Sequence, residues 1–205
     1  MSNNSIYQTA KIIRRAGNVR RFHTHRMIYP DHVNVHSFNA GILAFHIASR
    51  FNKHCPDSVD PYKCSFYMLM HDVAEHIIGD IPGHIKVLEP PVKEMFDRLE
   101  SEWMEDNLDA SMVFGIPNGP QLNEFEAIIC SFCDKFEAFQ TCYEELRTGN
   151  YSFKFVYNRI NAFFPGKIAK ISEISPTLGS IIYHVYNDFR HDCLEKFEGR
   201  KDLII

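Results

Sequence analysis

Four side chains in this sequence are of types that bind a divalent metal, and they stand where apolar neighbours make their charge expensive: His36, the adjacent pair His71-Asp72, and Asp134. Phe66, Tyr67, Met68, Leu69 and Met70 precede the pair, while Ile128, Ile129, Phe132 and Phe136 flank Asp134. Burying a carboxylate or an imidazole in such company is unfavourable unless a partner compensates. A divalent cation is one such partner, because it takes imidazole nitrogen and carboxylate oxygen together. Successive residues on a helix project about 100° apart. His71 and Asp72 can therefore share one ion only at a crevice between helices, and other helices must bring the remaining ligands. Plainer readings stand beside this one: a helix-face salt bridge for Asp134, whose neighbours Lys135 and Glu137 mark a polar side, and a helix-start histidine without a ligand role for His36.

Glu75 falls three residues after Asp72 and four after His71, so on a continuous helix it shares their face. A carboxylate one turn from an ion is placed to orient or deprotonate water; the alternative is a surface carboxylate paired with a cation. Asp80 follows Gly79 where the chain must leave the helix. It can bind a sugar hydroxyl, hold a water or accept a proton, or be an ordinary turn aspartate. Arg21 is the better phosphate candidate, since a guanidinium makes bidentate contacts to phosphate oxygens. Lys86, after a Pro-Gly turn, is either a further cation for phosphate or an exposed lysine. Histidines 23, 25, 32, 76 and 84 crowd the same segments without the paired spacing of a second metal site.

The elements that must position these groups are helical. Residues 5–16 have a helical pattern stopped by Gly17-Asn18, and 17–33 lack a period and predict a loop. From Val33 to Asn52, Val35, Phe38, Ile42, Phe45 and Ile47 recur at helical spacings. Asp57 or Asp60 can cap the next helix, with Pro61 in its first turn, and the pattern runs through the His-Asp pair to Gly79. After a Pro- and Gly-rich stretch at 80–91, a helix is expected over 92–107, a break at 114–123, a long periodic helix over 123–147, and two more near 151–163 and 175–197. No segment alternates as a strand would, so the architecture is all-α.

With 205 residues, 45% hydrophobic and 23% charged, the chain suits one globular domain with a core that needs no disulfides. A net charge of −4 argues against a dedicated nucleic-acid binder. No apolar run approaches the roughly 20 residues that cross a bilayer, and the first residues lack the apolar core of a secretory signal. The six cysteines, at 55, 64, 130, 133, 142 and 193, read as reduced and mostly buried residues of a cytoplasmic protein. Cys130 and Cys133 form a lone CxxC with no second pair to complete a zinc ribbon.

In the order of its candidate ligands, a lone histidine, then His-Asp, then a distant aspartate, the chain resembles the HD-domain phosphohydrolase superfamily. HDVAEHIIGDIP is similar to the 5′-deoxynucleotidase branch, in which HD is followed by Glu, then GD and Pro. CDKFEAFQTCYEELRTGN looks like that branch's Asp-bearing helix ending in EEL-x-x-GN, and VRRFHTHRMIYPDHVNVHS like its Arg-aromatic segment leading to the first metal histidine. Phage dATP triphosphohydrolases carry a similar Arg-Arg-aromatic-His-Thr stretch. Two departures are visible: Val35 where the family usually has Glu, and Phe22 where Trp is common.

The resemblance implies an all-α HD-domain bundle, with a motif-bearing core over roughly 15–150 and C-terminal helices over 151–205. It implies one divalent cation (Co2+, Mn2+, Zn2+ or similar) on His36, His71, Asp72 and Asp134, with Glu75 and Asp80 as catalytic groups. Arg21, Phe22 and Lys86 would meet the substrate, Phe22 by stacking on a base or packing on a deoxyribose. The expected substrate is a small deoxynucleotide, with no nucleic-acid polymer or membrane as partner. The expected assembly is a homo-oligomer, in host cytoplasm if the chain is phage-encoded. Two substrates fit, a deoxynucleoside 5′-monophosphate releasing phosphate and a dNTP releasing tripolyphosphate, with the first preferred. A non-catalytic nucleotide-binding protein with a degenerate site is the competing class, and the intact ligand positions and Glu75 argue against it.

Overall fold

The computed structural model describes residues 6–81 and 90–196. Helices α1 (Ile6–Ala16), α2 (Val33–Asn52), α3 (Pro61–Met70), α4 (Glu75–Ile78), α5 (Pro90–Asn107), α6 (Glu124–Arg147), α7 (Lys154–Ile174) and α8 (Pro176–Lys196) account for most of it. No strand occurs among the described residues beyond an isolated antiparallel bridge between Arg20 and His32, and the fold is all-α as expected. No helix among them is long and apolar enough to cross a membrane.

The starts of α3 and α6 are fixed by caps that also fix each other. Asp60 accepts the backbone N–H groups of Tyr62 and Lys63 at 2.9 and 3.1 Å, with Pro61 in the first turn where no N–H is needed. Asn123 and Glu126 form a reciprocal capping box on α6. Glu126, 1% exposed, also accepts the Asp60 N–H at 2.8 Å and pairs with Lys63 Nζ at 2.6 Å. One buried carboxylate thus sets the axial register between the helix that leads into His71-Asp72 and the helix that carries Asp134.

Helix α2 turns its small residues inward. Ala40, Gly41, Ala44 and Ala48 are buried together with His36, Ile47 and Phe51. A Cβ added at Gly41 would lie 3.3 Å from the Ser65 carbonyl oxygen, so α2 and α3 pack with little between their backbones. That close packing brings His36 beside the end of α3. Of the five apolar residues that set the helical period in the sequence, Val35, Phe38 and Ile42 point outward, 48%, 59% and 46% exposed, Phe45 is half-buried and Ile47 faces the core.

Two helix boundaries differ from the sequence pattern. The helix expected to run to Gly79 stops at Met70. Residues 71–74 form a turn with bonds from Val73 N to Met70 O and from Glu75 N to Asp72 O, both 3.1 Å, before the single turn of α4. Tightening to i→i+3 bonds is common where a helix meets a functional site. Gly79, at φ +77, ends α4 in a conformation that other residues rarely adopt. Further along, α7 does not stop near 163 but continues through Pro165 to Ile174. Proline removes one helical bond, and the buried Phe164, Ile168 and Ile171 hold the turn on either side.

One contiguous core draws on α2, α3, α6, α7 and α8, with Phe132, Phe136, Phe139, Phe164 and Tyr186 at its centre. All six cysteines are free and five are buried, so Cys130 and Cys133 serve as packing residues. Helix α5, with its acidic run, buries no residue completely; its Trp103 ring rests against His76 at 4.5 Å.

The loop between α1 and α2 is tied to the far end of α6. Glu145, 2% exposed, accepts the N–H groups of Ile28 and Tyr29 on its two oxygens, both at 2.9 Å. Asn150 donates to the Arg26 carbonyl at 2.7 Å and to Glu145 at 2.6 Å. The Glu-Glu-Leu…Gly-Asn stretch is therefore a clamp for the loop that carries Arg21 and Phe22. Glu145→Ala is expected to destabilise the protein by about 2 kcal/mol, the scale of orphaned backbone donors. Amide exchange checks it: protection at Ile28 and Tyr29 should fall well before that of α6.

Candidate active site

Four residues from three parts of the chain converge. His36 sits in the first turn of α2, His71 and Asp72 in the tight turn after α3, and Asp134 on α6. His36 Nε2 lies 3.4 Å from Asp134 Oδ1 and 3.5 Å from Asp72 Oδ2, and His71 Nε2 lies 3.2 Å from the same Asp72 oxygen. The ligand atoms of His36, His71 and Asp72 fall within 4.8 Å of one another.

The imidazoles are held from behind. His71 Nδ1 meets the Met68 carbonyl at 2.8 Å, so Nδ1–H donates and Nε2 presents its lone pair to the centre. His36 Nδ1 is paired with the Glu137 carboxylate, which orients its Nε2 in the same way. Both Nε2 atoms are buried and neither has a hydrogen-bond partner. Leaving such atoms unsatisfied costs free energy, whereas a divalent cation between two imidazoles and two carboxylates satisfies them together. The donor set, two nitrogens and carboxylate oxygens, suits Mn, Fe, Co, Ni or Zn.

Electrostatics point the same way. Burial opposes charge on His36, but the carboxylates of Asp134 and Glu137 outweigh it and lift its pKa to about 9. Asp134 is held well below the usual carboxylate range: burial would raise it, and His36 with Lys135 and His71 more than reverses that. The carboxylates of Asp134 and Glu137 thus favour positive charge at the position of His36. Nearby, Tyr67 is pushed up to about 12 by burial, with Cys130, Asp72 and Asp134 adding to it.

Arg21 is inside the structure, 9% exposed. Its Nη1 reaches both Asp31 Oδ2 and Glu137 Oε2 at 2.9 Å, and its Cζ lies 5.5 Å from the Phe22 ring centroid. Burial would lower its pKa, but Glu137 and Asp31 raise it beyond the ordinary value, so it stays charged. One face of the expected phosphate clamp is thus committed to two carboxylates. Phe22 has a left-handed backbone, φ +52, and packs edge-on to Phe153 at 5.6 Å. The expected catalytic Asp80 accepts the Phe22 N–H at 3.2 Å, which joins it to this loop. Glu75 is buried, 8% exposed, at the first residue of α4, one turn beyond Asp72. Lys86 lies outside the described residues. Lys135 is half-exposed and pairs with Asp134 Oδ2 at 2.9 Å.

Glu137 and Asp31 are the residues that the sequence pattern did not single out. The sequence pattern places Glu137 on a polar helix side, yet it is 4% exposed and serves His36, Arg21 and Asn39 at once. Its position one turn after Asp134 was the available signal, since i and i+3 share a helix face.

The family model for YfbR-like 5′-deoxynucleotidases matches residues 9–171. The chain belongs to this family. Among its relatives, the 5′-deoxynucleotidase of Vibrio parahaemolyticus is 25% identical over 150 residues, covering 70% of this chain and 77% of that protein. That of Photobacterium profundum is 24% identical over 150 residues, covering 66% and 73%. Two solved structures share the fold. An HD-domain phosphohydrolase from Listeria innocua superposes with a TM-score of 0.68 at 18% identity, covering 93% of this chain and 90% of that one. The cyanophage S-2L HD phosphohydrolase, bound to dA and one catalytic Zn2+ ion, gives 0.61 at 15%, covering 92% and 98%. As a YfbR-like 5′-deoxynucleotidase family member the chain is an HD-domain hydrolase. In this member Val35 is on the outer face of α2, so the departure there removes no ligand, and His36 takes its carboxylate partner from Glu137.

Proposed function

We propose that the protein hydrolyses 2′-deoxynucleoside 5′-monophosphates to deoxynucleoside and orthophosphate, with His36, His71, Asp72 and Asp134 holding one divalent cation. The observation that carries the reading is the pair of buried, partnerless Nε2 atoms aimed at Asp72 and Asp134. A cation there supplies Lewis-acid polarisation of the phosphoryl oxygens. Glu75 orients the attacking water and takes its proton. The water oxygen forms the new bond to phosphorus, the P–O5′ bond breaks, and the proton passes to the departing O5′. Arg21 adds a fixed positive charge on the phosphate side, and Asp80 keeps the Arg21-Phe22 loop seated through the Phe22 amide. Phe22 packs on the deoxyribose or the base. A cleft of about 190 Å³ beside His71, lined by Tyr67, Met70, Met104 and Phe114 together with Asp97, Glu100 and Ser101, offers mixed apolar and polar surface for the rest of the nucleoside. The names of the curated relatives and the deoxynucleoside in the cyanophage enzyme support a deoxynucleotide.

The test is product analysis. Metal-stripped protein reloaded with Mn2+ or Co2+ is offered dNMP, NMP and dNTP panels. Orthophosphate from dNMPs, at least about tenfold faster than from NMPs, is expected, a discrimination worth about 1.4 kcal/mol. Tripolyphosphate from dNTPs with idle monophosphates would replace this substrate by the triphosphate, and metal-independent or absent turnover on every panel would leave a binding protein.

A further inference from the structure

The cleft beside His71 has two unlike walls. One is aromatic: the Tyr67 ring stands 6.0 Å from the His71 ring and 5.1 Å, edge-on, from Phe114. The other is a face of α5. Asp97, Glu100, Ser101 and Met104 recur at i, i+3, i+4 and i+7, so they share one side of that helix, and all four are half-buried and line the cleft. The covered side of a surface helix is ordinarily its apolar one, yet three of these four residues are polar and two of them acidic. Among the described residues no Lys or Arg lines the cleft. Lys93 pairs with Asp97 Oδ2 from the preceding turn, outside that lining.

We infer that this cleft takes the base of the substrate and selects bases that carry an exocyclic amino group, with Asp97 and Glu100 as the specificity-determining residues; the inference rests on the deoxynucleotide reading above. A cavity of about 150 Å³ holds a benzene ring, so the cleft of about 190 Å³ has room for one nucleobase between its aromatic and carboxylate walls. The phosphate is kept out of it, since the carboxylates repel a phosphate dianion. That end of the substrate stays at the metal centre, which the cleft meets through His71. An ionised carboxylate only accepts hydrogen bonds, and it has roughly four lone-pair sites, so Lys93 on one Asp97 oxygen leaves others to a ligand. Cytosine and adenine carry an amino donor where uracil and hypoxanthine carry a carbonyl oxygen, and guanine joins the first pair through its C2 amino group. The carboxylates attract the amino group and repel the carbonyl oxygen. Tyr67 and Phe114 pack on any base alike, so discrimination falls to α5.

Matched substrate pairs test this on the metal-loaded protein. Steady-state kinetics should favour dCMP over dUMP, and dAMP over dIMP, by about tenfold in kcat/KM, the lower end for hydrogen bonds to a charged group. In the double variant Asp97→Asn/Glu100→Gln each carboxylate becomes an amide of the same shape that also donates, so both ratios should fall to within about twofold of one. The change should lie in KM, up for dCMP and down for dUMP, because it concerns a part of the substrate that does not react. A merely structural role of α5 would move all four substrates together. Calorimetric binding of deoxycytidine and deoxyuridine, which have no phosphate to release, separates this inference from the hydrolytic reading. If no dNMP is turned over, that reading fails, while tighter deoxycytidine binding that the double variant abolishes still upholds the base site. Equal kcat/KM within each pair where dNMPs are turned over, equal nucleoside binding where they are not, or a preference that the double variant leaves intact would each overturn the assignment.

Discussion

Asp72→Ala is expected to reduce metal-dependent phosphate release by about 1,000-fold, the scale on which loss of several kcal/mol of electrostatic stabilisation is felt. The geometry explains why this residue should matter most. A single Asp72 oxygen lies 3.2 Å from His71 Nε2 and 3.5 Å from His36 Nε2, so it faces both imidazoles that need a partner. Removing it leaves Asp134 as the one carboxylate among the four proposed ligands, and the site loses half of its ligand charge. Bound metal by elemental analysis should fall below one ion per chain under conditions that saturate the parent. The rise in melting temperature on adding Mn2+, which reports preferential binding to the folded state, should disappear as well. Asp72→Asn separates charge from shape: it keeps the side-chain volume and should still lose most of the activity. Parent-like turnover in either variant would remove Asp72 from the centre and with it the four-residue ligand set.

What could be read in the sequence follows from how constrained each role is. A metal ligand must be one of a few residue types, and His71-Asp72 among Phe66 to Met70 has no inexpensive explanation other than a shared partner, so the pair stands out. His36 and Asp134 then join it by order along the chain. The groups behind the ligands are less constrained. His71 is oriented by a backbone carbonyl, that of Met68, which no sequence pattern distinguishes. His36 is oriented by Glu137, which looks like a surface residue because a charged Lys135 stands two positions before it; only the packing of α2 on α6 reveals that its side of the helix is buried.

The same limit applies to the fold. Periodicity found the helices, but the apolar period of α2 could not tell core from surface. Its inner side has Ala and Gly at 40, 41, 44 and 48, which permit the close approach to α3, and Val35, Phe38 and Ile42 lie outside while Ile47 and Phe51 face the core. The helix ends expected at Gly79 and near 163 fail for opposite reasons: the apolar pattern continues past Met70, where helical hydrogen bonding breaks, whereas Pro165-Gly166 has the composition of a stop and the helix persists through it. The resemblance marked the Glu-Glu-Leu…Gly-Asn stretch but gave it no task. Its role as the clamp for residues 26–29 becomes visible only when the loop is folded back on α6.

Glu137→Ala is expected to cost about 3–5 kcal/mol of stability, as removal of one partner from a buried ion pair does. Its carboxylate stands between the Arg21 guanidinium at 2.9 Å and the His36 imidazole at Nδ1, and both Glu137 and Arg21 are nearly sealed from water. Burial alone would raise the Glu137 pKa; His36 and Arg21 bring it below the ordinary value, so it is ionised and both partners depend on that charge. Without it Arg21 keeps Asp31 alone, and the His36 ring loses the contact that turns Nε2 toward Asp72 and Asp134. Glu137→Gln is the more informative change. It retains an acceptor oxygen for one of the two partners and should fold, but with a neutral group behind His36 the affinity for Mn2+ or Co2+ should fall about 10–100-fold, the usual cost of losing a carboxylate that orients a metal-binding histidine. Denaturant unfolding without metal measures the first effect and calorimetric metal titration the second. A double-mutant cycle with Arg21→Ala separates the two roles of the carboxylate. The stability losses should be strongly non-additive because the residues share one pair, while the loss of metal affinity should follow Glu137 alone. Metal binding by Glu137→Gln equal to that of the parent would reduce Glu137 to a counter-ion for Arg21, and additive stability losses would dissolve even that link.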